Sequence, residues 1–342
     1  MRLDEAFADT WHLRLAAGRD VDDEQDLLDR TPAGTFNTTR NSASVQIDGK
    51  ASAALRLLAG VDYEHVGIDS DTPYALTTRI SRGVFSELRG EWQEWSALAG
   101  ARVEDSGQFG NHTTGNAGVT RKLGAGTRFT LTWGTAFRAP TFNELYFPGF
   151  GTPNLKPESS TGWDAGIEQA VVHDVLRVGV TYYYNRIRDL ITTDVTGTTW
   201  ANVGRATTDG IESFIAYQPL RELTLRVDYT YTQAEDDVLE QPLLRRPKHR
   251  GSFVATWQVT RAWQWNLDVL AVGNWVDVSR DGLTSGLSAP GYTTVNLATS
   301  YDLTPRVALF ARVDNLLDRH YENPIGFLQP SIGVYAGLKV RL

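Results

Sequence analysis

The chain contains no cysteine, which fits a compartment where stray thiols would be oxidised, although many cytosolic proteins also lack it. It has no uninterrupted apolar stretch of about eighteen residues, and this excludes an ordinary transmembrane helix. It has no basic excess: the net charge is −8, where a nucleic-acid binder needs a basic face. No charged segment leading into an apolar one opens the chain, because Met1-Arg2-Leu3-Asp4-Glu5 is polar from the start. A secreted protein would need such a signal, so either it was removed or the chain is a piece of something longer. Linkers, low-complexity tracts and composition shifts are also missing, and residues 1–342 read as one domain. Catalytic constellations are missing too. His12, His65, His112, His173, His249 and His320 are scattered without metal-ligand spacing, no Gly-x-Ser-x-Gly elbow occurs, and the glycine-rich pieces sit in turns with no following helix to cradle phosphate. No catalytic residue and no cofactor is expected.

What is present is a two-residue rhythm. From Leu223 to Tyr231 the odd positions are Leu223, Leu225, Val227, Tyr229 and Tyr231, and the even ones are Thr224, Arg226, Asp228 and Thr230. Side chains alternate across a strand, so one face is apolar and the other polar. The same division recurs over 128–138, 176–184, 263–271 and 332–342. Strands of this length and pattern suit a tilted span of a bilayer, with hydrocarbon on one face and water on the other. Alternation and turn punctuation together give about sixteen strands. Their connections alternate between tight turns, such as Asp48-Gly49-Lys50, Val172-His173-Asp174 and Thr260-Arg261, and long loops near 18–37, 68–79, 140–157, 236–246, 279–289 and 321–330. Short turns on one rim and long loops on the other are the asymmetry of an outer-membrane barrel. The expected fold is an all-β, transmembrane, antiparallel up-and-down β-barrel, with both chain ends on the short-turn, periplasmic rim.

Binding residues tend to sit on loops carried by a rigid scaffold. Tyr146, Phe147 and Phe150 cluster aromatics in the loop 140–157, and Phe327 lies in the loop 321–330; an exposed apolar cluster usually contacts something. Packing on neighbouring loops is the competing reading for the first three, and for Trp200, Trp275 and Phe327 it is an aromatic girdle at the membrane interface. Asp20, Asp22, Asp23, Glu24 and Asp26 crowd the first long loop. They read as a solvated loop, with a divalent cation on oxygen ligands as the lesser alternative, since the glycine and closing glutamate of an EF-hand are lacking.

Four segments carry a resemblance. Trp133-Gly134-Thr135-Ala136-Phe137-Arg138-Ala139-Pro140 is followed by Asn154-Leu155-Lys156-Pro157-Glu158 and a returning strand with Trp163. Farther on come Asn202-Val203-Gly204-Arg205-Ala206 with Gly210-Ile211-Glu212, and then Val313-Asp314-Asn315-Leu316-Leu317-Asp318 with Tyr321. In this order they resemble the carboxyl-terminal barrel of TonB-dependent outer-membrane receptors, and the ending from Gly326 to Leu342 is most similar to the cobalamin-type members. The resemblance marks Arg138, Pro140, Asn154, Pro157, Glu158 and Asn315 as structural motif residues, and for Pro140, Pro157 and Asn315 the residues themselves suggest why. Pro140 lacks a backbone donor and so ends strand pairing, Pro157 biases Lys156 toward extended backbone, and Asn315 is suited to bonding nearby backbone.

The resemblance implies a plugged barrel of about 22 strands, an energy-transducing partner (TonB) reached through an N-terminal plug, and a barrel-assembly machinery that reads a terminal aromatic residue, here replaced by Leu342. Neither the plug nor about six leading strands are recognised in the chain. The expected function is therefore the wall and outer loops of a receptor for a large scarce nutrient, cobalamin first and an iron chelate such as a ferric siderophore or haem second. An independent sixteen-stranded diffusion porin and a lipid hydrolase or soluble β-protein are the alternatives. The expected partners are outer-membrane lipid and the nutrient, with no nucleic acid.

Overall fold

The computed structural model describes residues 1–172, 175–194 and 198–340; the turn expected at His173-Asp174 and the terminal Leu342 lie outside them. The protein is all-β, with twenty strand segments among the described residues. Helical structure among the described residues is limited to a 3-10 turn at Gly107–Phe109 and the five-residue helix Phe142–Tyr146. Two compact units divide the chain: Met1–Arg121, Thr130–Trp163 and Asn185–Ala206 form the first, and Lys122–Phe129, Asp164–Tyr184 and Thr207–Leu342 the second.

In the first unit each strand pairs antiparallel with the next, through Arg2–Ala8, Trp11–Leu28, Thr31–Lys50, Leu55–Ser70, Thr78–Trp92, Trp95–Asp105 and the strand beginning at Asn111. The register aligns Leu15, Val45, Val61, Val84 and Val103 in one transverse row, and all five are exposed. The opposite face carries ions: Arg102 bonds Asp62 at 2.6 and 2.9 Å and Glu104 at 2.8 Å. Exposing such a row of valines to water forfeits roughly 25 cal/mol for each Å² of apolar surface, so this face suits an apolar surrounding such as lipid. From Trp95 to Asp105 the strand runs 11 residues, which at the usual tilt spans about 25 Å, the height of an outer-membrane apolar band. Trp92 and Trp95, both exposed and paired across the ladder, close the band on the short-turn rim.

The second unit repeats the design through Leu223–Asp236, His249–Thr260, Trp263–Val272, Tyr292–Thr304, Val307–Asp314 and Gly333–Val340. Leu225, Ala255, Leu267, Leu297 and Val313 form an apolar row. Trp263, Trp265 and Tyr301 form the short-turn girdle, with ring centroids 5.7 and 6.5 Å apart.

The structure corrects several sequence expectations. Residues 18–37 are not a loop: Trp11–Leu28 and Thr31–Lys50 continue as a paired hairpin closed by Asp29 and Arg30, both at positive φ. Beyond the membrane both faces of a strand meet water, so apolar alternation stops while the backbone ladder goes on. A positive-φ pair such as Asp29-Arg30 also lacks the Asn-Gly signature of a two-residue hairpin turn. The acidic residues therefore stand along a strand with alternating direction, Asp23 opposite in face to Asp20, Asp22 and Asp26. No group of three acidic or histidine side chains able to hold a metal occurs among the described residues.

Arg2–Ala8 is a further strand, joined to the next through Asp9-Thr10, so the segments outnumber the expected sixteen. Met1 pairs with Ala17, inside the ladder and away from the short-turn rim where both ends were expected. The strand expected to reach residue 278 stops at Val272. Trp275–Asp277 pairs instead with Leu287–Ala289 in a separate ribbon.

Candidate functional site

Two loop caps hold most of the candidate residues, one in each unit, each at the long-loop end of that unit's own strands. In the first, Arg138 ends its strand and Pro140, which is fully buried, stops the ladder. The chain turns into the helix Phe142–Tyr146 through a capping box: the Thr141 hydroxyl accepts from the Glu144 N–H, and the Glu144 carboxylate accepts from the Thr141 N–H. Arg138 then grips two carboxylates. Its Nε and Nη2 donate to Glu158 at 2.6 and 2.7 Å, and Nη1 donates to both Glu144 oxygens at 3.1 Å. Glu158 also accepts from the Ile191 N–H at 2.7 Å. Burial opposes the charge on Glu158, but the Arg138 hydrogen bonds, the Ile191 N–H and the neighbouring cation outweigh it, so its carboxyl lies below the ordinary value.

Above this anchor, Leu145, Leu155 and Ile191 form a small buried core against Phe109, Tyr146 and Trp200. The Tyr146 hydroxyl accepts from Gln108 at 2.8 Å, and Phe150 meets Trp200 edge-on at 5.8 Å. Asn202 clamps the returning chain, accepting from the Lys156 N–H at 2.9 Å and donating to the Lys156 and Asp189 carbonyls. Pro157 follows directly, half-buried, while Asn154 is exposed.

The structure thus sorts the predicted aromatics. Tyr146 and Phe150 are turned into the loop's own core, and only Phe147, 44% exposed, stays available. It contacts Tyr74 edge-on at 6.4 Å; Tyr74 bonds Asn143 at 2.5 Å and meets Phe36 at 5.7 Å. Phe36 and Tyr74 were not foreseen, because each sits alone in its own segment of sequence and only the fold joins them to Phe147. Arg79 was missed for the same reason: its guanidinium lies 5.2 Å from the Phe109 ring and 5.0 Å from the Phe142 ring, fixing the helix from below.

The second unit's cap is organised around Asp277, which is 0% exposed. It accepts from Arg245 Nε at 2.8 Å, from Trp275 Nε1 at 3.4 Å and from the N–H groups of Val278 and Ile325 at 2.8 and 3.0 Å. Burial opposes its charge, and these donors outweigh burial, so its carboxyl also lies below the ordinary value. One carboxylate thereby ties three outer segments together. Trp275 is buried against Tyr292, and Trp200 packs in the first cap, so neither belongs to a membrane girdle as expected. Phe327 is 50% exposed beneath the Arg280 guanidinium, in the outer loop and not in a girdle. Asn315, at φ 50, accepts from the Arg319 N–H and donates to the Arg319 and Pro330 carbonyls. Asparagine tolerates that backbone region better than most residues, and here it ties the turn after its strand to the chain at Arg319 and Pro330.

In each unit an antiparallel wall with an exposed apolar face, short turns at one end of the strands and an anchored loop cap at the other is the build of an outer-membrane β-barrel wall. Residues 2–316 match the family described as TonB dependent receptor-like, beta-barrel, and the chain belongs to that family. It is 30% identical over 293 residues to the vitamin B12 transporter BtuB of Vibrio vulnificus, covering 83% of this chain and 46% of that protein. Against BtuB of Photobacterium profundum it is 28% identical over 317 residues, covering 90% and 51%. The chain therefore spans about half the length of these relatives. Among solved structures, the copper transporter OprC superposes with a TM-score of 0.80 at 17% identity, covering 99% of this chain and 64% of that one. The ferric enterobactin receptor PfeA of Pseudomonas aeruginosa gives 0.75 at 17%, covering 96% and 59%. At those identities the likeness establishes the fold alone.

Proposed function

We propose that the chain forms the membrane wall and outer ligand-binding loops of a TonB-dependent receptor that takes up a large scarce nutrient, cobalamin in the first place and an iron chelate in the second. The observation that carries this reading is the pair of anchored caps. Each fixes its loops with a charged hub and leaves an aromatic ring bare, Phe147 beside Tyr74 in one and Phe327 in the other. Rigid loops presenting aromatic anchors are suited to a large, partly apolar ligand. The BtuB relatives favour cobalamin over an iron chelate. The family and the two caps support a receptor and transporter role. Coupling to TonB falls to a plug of the full-length receptor, and catching the nutrient to the residues here.

The test is cyanocobalamin binding to the folded chain in lipid nanodiscs, with a ferric catecholate as competitor, alongside conductance in planar bilayers. Cyanocobalamin is expected to bind, and Phe147→Ala is expected to weaken it about tenfold, the usual effect of trimming an aromatic anchor. Stable discrete channel steps, or binding indifferent to Phe147, would favour the diffusion-porin alternative and overturn the assignment.

A further inference from the structure

The hairpin of Trp11–Leu28 and Thr31–Lys50 brings charge to the aromatic rings of the first cap. Phe36 stands directly opposite Glu24 across the ladder, and two positions back on the same face Gly34 stands opposite Asp26. Gly34 has no side chain to part its neighbours. A Cβ there would lie 3.6 Å from Asp71 Oδ1 and 3.7 Å from Asp26 Oδ2, so two carboxylates converge on one point beside Phe36. Asp71 accepts from the Thr35 N–H at 3.1 Å, but none of Glu24, Asp26 and Asp71 forms an ion pair among the described residues. Two cations of the surrounding strands are committed elsewhere: Arg40 holds Glu64 at 3.3 Å, and Arg79 is fixed between the Phe109 and Phe142 rings. Arg30, at the tip of the hairpin, is exposed and pairs with none of the three acids. Phe36 meets Tyr74, and Tyr74 meets the exposed Phe147, so the rings and the unpaired carboxylates form one continuous patch.

Aromatic faces carry negative charge density and attract a cation placed within about 6 Å of the ring centre. Carboxylates beside them add to that attraction, and their mutual repulsion is relieved when a positive charge enters among them. An anion is refused by the same arrangement. A wholly apolar ligand would use the rings and leave the crowded charges unrelieved. We infer that the exposed face of the first cap is a subsite for a positively charged organic group of the captured ligand. The group lies over the rings of Phe147 and Tyr74 and is neutralised by Glu24, Asp26 and Asp71. The inference rests on the loop-capture reading above and narrows it by charge. A ferric catecholate, anionic throughout, is repelled here, whereas a cobalt(III) corrin core carries positive charge.

The test compares acetylcholine with its uncharged isostere, 3,3-dimethylbutyl acetate, on the folded full chain in a non-ionic detergent. Binding is read by ligand-observed NMR titration, and folding is followed separately by heat-shifted gel mobility. Acetylcholine is expected to bind about fivefold more tightly than the isostere. Glu24→Gln combined with Asp26→Asn should bring the two probes to within about twofold of each other. Phe147→Leu, which keeps apolar bulk but removes the π face, should weaken acetylcholine about threefold and leave the isostere unchanged. Raising salt from about 50 mM to about 500 mM should shrink the wild-type preference without any substitution. Equal binding of the two probes, or a preference that survives both the double variant and high salt, overturns the inference alone. Cyanocobalamin is then added as competitor, and displacement of acetylcholine is the expected result. Binding of cyanocobalamin without displacement overturns the inference, because the captured ligand then lies elsewhere. An intact acetylcholine preference with no binding of cyanocobalamin overturns the cobalamin assignment alone.

Discussion

The two loop caps solve the same problem with opposite charges. In the first unit a cation is the hub: Arg138, partly exposed, reaches two carboxylates that are only 10% and 13% exposed. In the second unit an anion is the hub: Asp277 is wholly buried, while its partner Arg245 is half exposed. The difference lies in what remains when the hub is lost. Without Arg138, Glu158 keeps only the Ile191 N–H and Glu144 only the more distant Arg79, so two largely buried acids are left near each other with little counter-charge. Without the Asp277 charge, Arg245 turns to water and only neutral N–H groups lose an acceptor. Burial of the hub is therefore a poor guide to how much depends on it; burial of its partners is the better one.

The largest effect is expected from Arg138→Ala. Breaking a buried pair costs a few kcal/mol, and discounting for the exposure of Arg138 leaves about 2 kcal/mol for the local unfolding of residues 141–157. Hydrogen exchange across that segment should accelerate by more than tenfold while the wall strands keep their protection; unchanged exchange would show that the aromatic core alone holds the cap. The same clamp makes the cap sensitive to acid. Because the folded Glu158 lies below its ordinary value of 4.5, its stabilisation is complete above that pH and is lost as pH falls through the lower folded value. Exchange in 141–157 should thus rise below about pH 4, and Glu158→Gln should remove much of that dependence.

Asp277→Asn comes next, at about 1 kcal/mol. The amide keeps a single acceptor oxygen, so it serves either the Val278 or the Ile325 N–H and turns its own NH2 toward the other, and it gives up the ion pair with Arg245. Loosening should appear in residues 275–289 and 321–327 together, since one side chain serves both. Loosening of a single segment would break the comparison, because it would mean that Asp277 is not the common tie.

What the sequence disclosed follows the reach of its signals. Alternation located the wall because lipid and water enforce it, and the strands around Leu225 and Val61 were readable for that reason. The segment from Arg138 to Glu158 stood out as a motif, though the links to Glu144 and to Ile191 depend on side chains meeting across loops. Alternation failed where both faces are wet, which hid the hairpin through Asp29-Arg30. It also could not tell an interface aromatic from a loop-core aromatic: Trp275 is buried and Trp200 packs half-buried against a loop core, though both have the composition of a girdle. Phe36, Tyr74 and Phe147 come together only through tertiary contact, and no local pattern announces them.

The smallest expected effect tests whether wall charges matter as loop charges do. Arg102 reaches Asp62 by lying across Gly83, where an added Cβ would fall 2.2 Å from Nη2. Gly83→Ala therefore displaces the guanidinium while leaving the strand's φ and ψ acceptable, and what must move is the free end of a flexible side chain. Arg102 is about one-third exposed, so water replaces part of what is lost, and the cost should be no more than about 0.5 kcal/mol in a urea midpoint measured in detergent. A loss several times larger would mean that the polar face of the wall is as tightly organised as the Arg138 clamp, and the contrast drawn between buried and solvated partners would no longer hold.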